Sequence, residues 1–261
     1  MGWENLLEQF RPNSDFETVL SLYLFDKKLR LLALDALERI EMAVRVDIVH
    51  ILGKQDPMAH ENPACFDGKF TKIIQTDGQT KHQQWLARLN ELVRKAERRK
   101  TACVVHNLQT YGKLPVWAVS GLWDFGAMSR LYEGMKHKDQ NVIAQKYGAV
   151  RGDVFAQWLR SLNEIRNIAA HYDRLWNIRI VQKSGPVKED KFWVQLENSR
   201  PFFYFCIMQQ MLNVLCPNSK WAERFNALLT EFPSHIGKNV SLEPFGLIED
   251  YCEWPLWNRQ K

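Results

Sequence analysis

From Asp15 to about Leu52 the apolar residues of this chain return three or four positions apart: Phe16, Val19, Leu20, Tyr23, Leu24, Leu31, Leu34, Leu37, Ile40, Val44 and Ile48. That period matches an α-helix and no strand, so it predicts one long helix, capped by Ser14 or Asp15. Gly53 and the stretch Asp56-Pro57 through Asp67-Gly68 end it in a loop. A second helical pattern runs from about Lys81 to Lys100, and its tail Arg94 to Lys100 is a basic cluster able to track phosphates or simply to form a solvated helix end. Pro115 suits the first turn of a third helix, from Val116 to about Met135, in which Gly121 and Gly126 predict close approach of a neighbouring helix.

A short helix near Gln140 to Tyr147 and a central helix from Asp153 to about Ile178 follow. The polar stretch Lys183 to Lys188 predicts an irregular loop or short hairpin. Helices from about Arg200 to Leu215 and from Ser219 to Glu231 precede an aromatic tail, Trp254 to Trp257. The sum is one all-α domain over residues 1–261.

With 46% hydrophobic and 25% charged residues, the chain carries enough apolar material for a sizeable core. A net charge of +5 permits an anionic partner without requiring one. Five scattered cysteines without Cys-x-x-Cys spacing argue against a disulfide framework or zinc knuckle. Met1-Gly2-Trp3-Glu4 opens an acidic and polar stretch, so no secretory leader is expected, and no apolar run reaches the ~20 residues of a membrane span. The expectation is a reduced, cytoplasmic protein.

Chemistry concentrates between Asn163 and Asn177. Projected as a helix, Leu162, Ile165, Ile168, Ala169, Tyr172, Leu175 and Trp176 share a face to be buried. Asn163, Arg166, Asn167 and Arg174 form a polar stripe around small Ala170, and His171 lies on the border. Two guanidiniums suit a phosphodiester, because they bind phosphate oxygens bidentately and stabilise charge growing in a transition state. A histidine on such a border is suited to proton transfer. The alternative is that Arg166 and Arg174 pair with acidic neighbours while His171 bonds a carbonyl.

Arg166-Asn167-Ile168-Ala169-Ala170-His171, continuing through Tyr172-Asp173-Arg174-Leu175-Trp176-Asn177, closely resembles the signature of abortive-infection (Abi-like) proteins, a branch of the HEPN superfamily. Phe25 to Leu32 leading into Ala36 to Glu41 is similar to that family's early helix. Leu114 to Trp117 with Phe125 to Tyr132 is similar to its middle helix, and Pro255-Leu256-Trp257 to its closing segment. The resemblance implies a HEPN-like helical bundle and a part in phage defence or toxin–antitoxin behaviour. In active members it implies metal-independent endoribonuclease activity, with Arg166 and His171 in a composite site across a homodimer. Asn163, Asn167, Arg174 and Asn177 then support RNA binding, no cofactor is needed, and the partners are RNA, a second copy and an antitoxin, either RNA or protein. The family's additional N-terminal helical region is expected to be missing, and Gly121 stands where its middle helix often has Glu.

Other residues carry less. His50, His60, His82, His106, His137 and His235 show no metal-ligand spacing. Glu38 and Glu41 are expected to pair with Arg39 and Arg45 along one helix. Trp117, Trp123, Trp158 and Trp176 are expected to pack in the core. No Gly-rich phosphate loop or nucleophile elbow is present. A non-catalytic module that holds RNA or an antitoxin is the competing reading, and a purely structural helical protein the third.

Overall fold

Asp15 starts the first helix: its carboxylate accepts the Thr18 backbone N–H at 2.7 Å and so satisfies one of the amides that a helix start leaves open. The computed structural model describes residues 15–187, 191–233 and 240–258, so Ser14, Lys188, His235 and the lead-in before Asp15 lie outside the described residues. The helices are α1 Phe16–Gln55, α2 Gly68–Thr71, α3 Lys81–Arg98, α4 Ala102–Tyr111, α5 Val116–Val119, α6 Phe125–Gly134, α7 His137–Lys146, α8 Gly152–Ala170, α9 Pro201–Leu215 and α10 Trp221–Thr230. The described residues contain no strand, only two isolated bridges, Phe66 with Met135 and Ile74 with Thr80. The protein is all-α.

The first helix is the spine, packing on α8, α9 and α10 along its length and on α5, α6 and α7 toward its C-terminal half. Phe25, Leu29, Ala33, Ala36, Ile40, Val44 and Ile48 recur at helical spacing and are buried. Facing them, α8 buries Phe155, Trp158, Leu159, Leu162 and Ile165. Helix α9 is buried almost all round from Pro201 to Met208, which fits a helix apolar on every side. Trp221 donates from Nε1 to the Leu32 carbonyl at 2.9 Å, tying α10 to α1. Trp257 stacks on Phe225 with ring centroids 4.6 Å apart, so the aromatic tail closes the far end of the core. The first half of α1 shows a different apolar stripe to solvent, with Phe16, Val19, Leu20, Tyr23, Leu24 and Leu31 all exposed.

Several expectations need correction. The third helix is two: a 3-10 turn over Ser120–Leu122 and an extended Trp123 separate α5 from α6. Asp124 restarts the helix by accepting Ala127 N–H at 2.7 Å, and Arg45 Nη2 donates to the Trp123 carbonyl freed by the break at 2.9 Å. Pro115 is the residue before α5 rather than inside its first turn. A Cβ on Gly121 would meet nothing within 4 Å, so no helix crosses there; at Gly126 it would touch Asn163 at 3.6 Å, so that glycine does face α8. Trp117 is exposed, whereas Trp123, Trp158 and Trp176 are buried as expected. Helix α4 was not anticipated; Val104 is its one buried residue, and Gly112 closes it with a φ of 68°.

The central helix ends at Ala170 instead of continuing to Ile178. Tyr172 takes a φ of 65°, and Asp173 N–H reaches back to the Ile168 carbonyl at 3.1 Å; this left-handed closure stops a helix. Beyond it, no hairpin forms among the described residues. Residues 181–185 are instead strapped to α8 by its side chains. The Glu164 carboxylate accepts Val181 N–H at 3.2 Å and Gln182 N–H at 2.9 Å. Gln157 accepts Gly185 N–H at 2.9 Å, and Trp158 Nε1 donates to the Gly185 carbonyl at 3.0 Å. Backbone groups satisfied by a neighbouring helix need no strand partner.

Candidate functional site

The C-terminal half of α8 forms one wall of an open groove of about 850 Å³. Helix α6 forms the opposite wall with Phe125, Gly126, Ser129, Arg130 and Glu133; the strap with Ile178, Arg179, Val181 and Gln182 closes one side, and Arg88 of α3 reaches the rim. The helix periodicity of α8 explains why Arg160, Asn163, Arg166 and Asn167 point into the groove while Leu162 and Ile165 point into the core.

Arg166, His171, Asn163 and Asn167 all line this groove. Arg174 and Asn177 do not: they follow the left-handed turn at Tyr172, which carries them off the projected stripe, and Arg174 is exposed. Tyr172, expected on the buried face, is 86% exposed. Leu175 and Trp176 are buried as expected, although through the returning chain rather than through a helix face. His171 is the exposed residue that follows the last helical position, and its backbone N–H still bonds the Asn167 carbonyl at 2.9 Å.

Sequence reasoning missed the four arginines that the fold adds, Arg88, Arg130, Arg160 and Arg179. Arg160 was legible, lying three residues before Asn163 on the same face; the others come from separate elements. Arg88 pairs with Asp124, and Arg160 faces Glu133 at 3.6 Å. Among the described residues Arg130, Arg166 and Arg179 make no ion pair, and the Arg166 guanidinium has only a long 3.5 Å contact with its neighbour Asn167. The expected alternative, in which Arg166 and Arg174 are occupied by acidic neighbours, is not what the described ion pairs show. Nor does the His171 ring bond a described carbonyl.

Glu41 pairs with Arg45 along α1, as expected, whereas Arg39 takes Asp35 rather than Glu38. Burial pushes the Glu41 carboxyl up from its usual range, against the pull of the Arg45 and Arg166 guanidiniums; the field of the motif arginine thus reaches into α1. The Arg94 to Lys100 cluster forms a separate exposed surface in which Arg94 and Arg98 bond carbonyls of their own helix. Among the described residues no three His, Cys, Asp or Glu side chains gather as a metal-holding group, and no helix is long and apolar enough to cross a membrane.

The turn that carries His171 is held from α1 by Asp26, another residue without an expected role. Asp26 and Arg30 are both buried, and Asp26 Oδ2 faces Arg30 Nε at 3.1 Å. Asp26 Oδ1 accepts the backbone N–H groups of Leu175 and Trp176. The Arg30 guanidinium lies 5.9 Å from the Tyr172 ring centroid.

Searches among curated proteins and among solved structures found no match. A family model described as Abi-like protein matches residues 3–177, about two thirds of the chain. The match covers α1 through α8 and the whole motif, and leaves Pro255 to Trp257 outside. On that match, and on the motif that the groove displays, the chain belongs to the Abi-like family.

Proposed function

We propose that the protein is a metal-independent endoribonuclease of HEPN type acting in phage defence or as a toxin. The observation that carries this reading is the groove itself, which combines His171 with three guanidiniums that lack a described acidic partner, Arg130, Arg166 and Arg179. Unpaired arginines along an open channel suit a polyanionic strand. The family supports a role in defence; the ribonuclease step is our reading of the groove.

In this mechanism His171 of one protomer takes the proton of a ribose 2′-hydroxyl as that oxygen attacks the adjacent phosphorus. Arg166 donates to the non-bridging oxygens as their negative charge grows. The P–O5′ bond breaks, and the departing oxygen takes a proton from the partner's His171. The products are a 2′,3′-cyclic phosphate and a 5′-hydroxyl. One motif supplies one histidine while the reaction uses an acceptor and a donor, so a two-fold axis that brings two stripes together completes the site.

The test is to incubate the purified protein with an unstructured RNA, with and without EDTA, and to identify the ends. Cyclic phosphate ends that persist in EDTA and vanish in His171→Ala support the proposal. RNA binding without cleavage selects a non-catalytic RNA- or antitoxin-binding module instead. Heterodimers carrying one His171→Ala chain and retaining half or more of wild-type activity rule out the shared site.

A further inference from the structure

The apolar stripe that α1 shows to solvent continues past its first half as a regular seam. Leu20, Leu24, Lys27, Leu31, Leu34 and Glu38 follow one another in alternating steps of four and three, the spacing of roughly 3.5 residues with which one long helix meets another. Leu20, Leu24 and Leu31 are 42%, 44% and 58% exposed, and Leu34 is half-buried. Single apolar side chains on a surface need no explanation, but a continuous row along one helix marks a contact surface.

Lys27 and Glu38 identify what the seam fits. Both are exposed, and neither has an ion-pair partner among the described residues; Arg39 takes Asp35 and leaves Glu38 without one. Their positions are symmetric about the midpoint between Leu31 and Leu34, Lys27 lying four residues before Leu31 and Glu38 four residues after Leu34. An antiparallel copy of the same helix, related by a two-fold axis at that midpoint, sets Leu31 against the copy's Leu34 and Lys27 against its Glu38, each contact made twice. Met42 and Val46, 55% and 57% exposed, then come within one residue of the level of the copy's Leu24 and Leu20. At the ends, Leu20 and Leu24 meet the copy's Arg45 and Glu41, whose charges already satisfy each other and of which Arg45 brings an apolar stem. A parallel pairing in register would instead oppose Lys27 to Lys27 and Glu38 to Glu38, which like-charge repulsion disfavours.

The two flanks of the seam differ. On one, Lys28 pairs with Glu231 and Asp35 with Arg224, at the edge of α10. On the other, Arg30 lies 5.9 Å from the Tyr172 ring centroid, and the Glu41 carboxyl feels the Arg166 guanidinium, so the motif borders the seam. A two-fold axis between antiparallel helices keeps each flank on its own side, which brings both motifs to the same side of the pair.

We propose that the protein dimerises through α1, the seam from Leu20 to Val46 packing antiparallel on the same seam of a second copy. This deepens the shared-site reading by naming the surface that forms the two-fold, and it rests on the ribonuclease reading only for what the dimer does.

The experiment is sedimentation equilibrium of the full chain without RNA across a dilution series, with circular dichroism to check that each variant is folded. The wild type is expected to be dimeric, and Leu31→Glu, which places two charges at the axis, to raise the dimer Kd by about tenfold or more. Lys27→Glu and Glu38→Lys each set like charges opposite one another and are expected to raise it by about tenfold. The double variant Lys27→Glu/Glu38→Lys restores opposite charges and is expected to return to within about threefold of wild type. A wild type that stays monomeric overturns the proposal and leaves the seam to a different protein. So does a dimer that these substitutions leave intact, or one in which the double variant is no tighter than the single ones. If the dimer and its rescue hold but the wild type cuts no RNA, the ribonuclease reading fails while the dimer stands. If RNA is cut by a protein that is monomeric throughout, the reverse holds.

Discussion

The carboxylate of Asp26 accepts the backbone N–H of Leu175 at 2.8 Å, across 149 positions of sequence. The same oxygen accepts Trp176 N–H at 2.9 Å, and Arg30 completes a buried ion pair behind it. The segment from His171 to Trp176 is therefore fixed at both ends, by the α8 terminus on one side and by α1 on the other. The proton transfer proposed for His171 calls for this kind of support, since a displacement of about 1 Å can cost on the order of 10²-fold in rate.

Replacing Asp26 by Ala removes the acceptor for two buried amides and leaves Arg30 buried without its counter-ion. We expect a loss of ~3–5 kcal/mol in denaturant unfolding, with RNA cleavage falling in whatever protein remains folded. Asp26→Asn, which keeps an oxygen acceptor, should lose less. A cost below ~1 kcal/mol for Asp26→Ala would show that the turn is held by something else.

Tyr172 occupies a left-handed conformation, φ 65°, which costs a non-glycine residue ~1–2 kcal/mol. Tyr172→Gly should be tolerated within ~1 kcal/mol, because relief of strain offsets the lost Arg30 contact and the added freedom of the unfolded chain. Tyr172→Val, β-branched at the same φ, should destabilise by more than ~1 kcal/mol. Thermal melts of the two variants give the comparison; equal stability would mean that the side chain, rather than the backbone, matters here.

His171 is exposed and its ring has no described partner in the fold. His171→Ala should leave stability within ~0.5 kcal/mol while lowering cleavage by at least ~10²-fold. A folded His171→Ala protein that cuts RNA at the wild-type rate would falsify the catalytic assignment.

The buried His60 gives a pH dependence unrelated to the groove. Burial, then repulsion from His82, lowers it from 6.5 to about 4, so the ring is neutral in the fold and makes no true ion pair with exposed Glu61. Between those values the unfolded chain binds a proton that the folded chain refuses. This contribution is complete above pH 6.5 and declines as pH falls toward 4. Comparing unfolding at pH 7 and pH 5, His60→Gln should reduce the acid loss by roughly 2 kcal/mol; an unchanged acid loss would contradict the assignment.

Helices such as α1, α3, α9 and α10 were legible to within a few residues, because their apolar spacing and flanking caps are local signals. Helix α4 was not, since burying only Val104 leaves little periodicity to read. The break before α6 depends on Arg45, 78 positions upstream of Trp123, donating to the freed carbonyl. The stop after His171 is equally remote in origin: without a glycine to announce a left-handed residue, only the bonds from Asp26 reveal why Tyr172 turns. Within the site, Asn163, Arg166, Asn167 and His171 came from one segment and could be read together. Arg130, Arg179 and the Asp26 support come from separate elements, and only folding makes them neighbours.

The long reach between α1 and the α8 terminus also fixes a schedule for synthesis. Asp26 leaves the ribosome first, and its partners Leu175 and Trp176 follow 149 and 150 residues later, a delay of roughly 7–30 s at ordinary elongation rates. Helices α9 and α10, which cover the same spine, come later still. A nascent chain therefore carries the Asp26 and Arg30 pair on α1 long before the motif emerges to meet it, and the motif gains its Asp26 contacts before α9 and α10 have been made. Any ribosome that makes this protein thus holds, for that interval, a spine helix whose buried acid has its arginine but not yet the two amides it will accept.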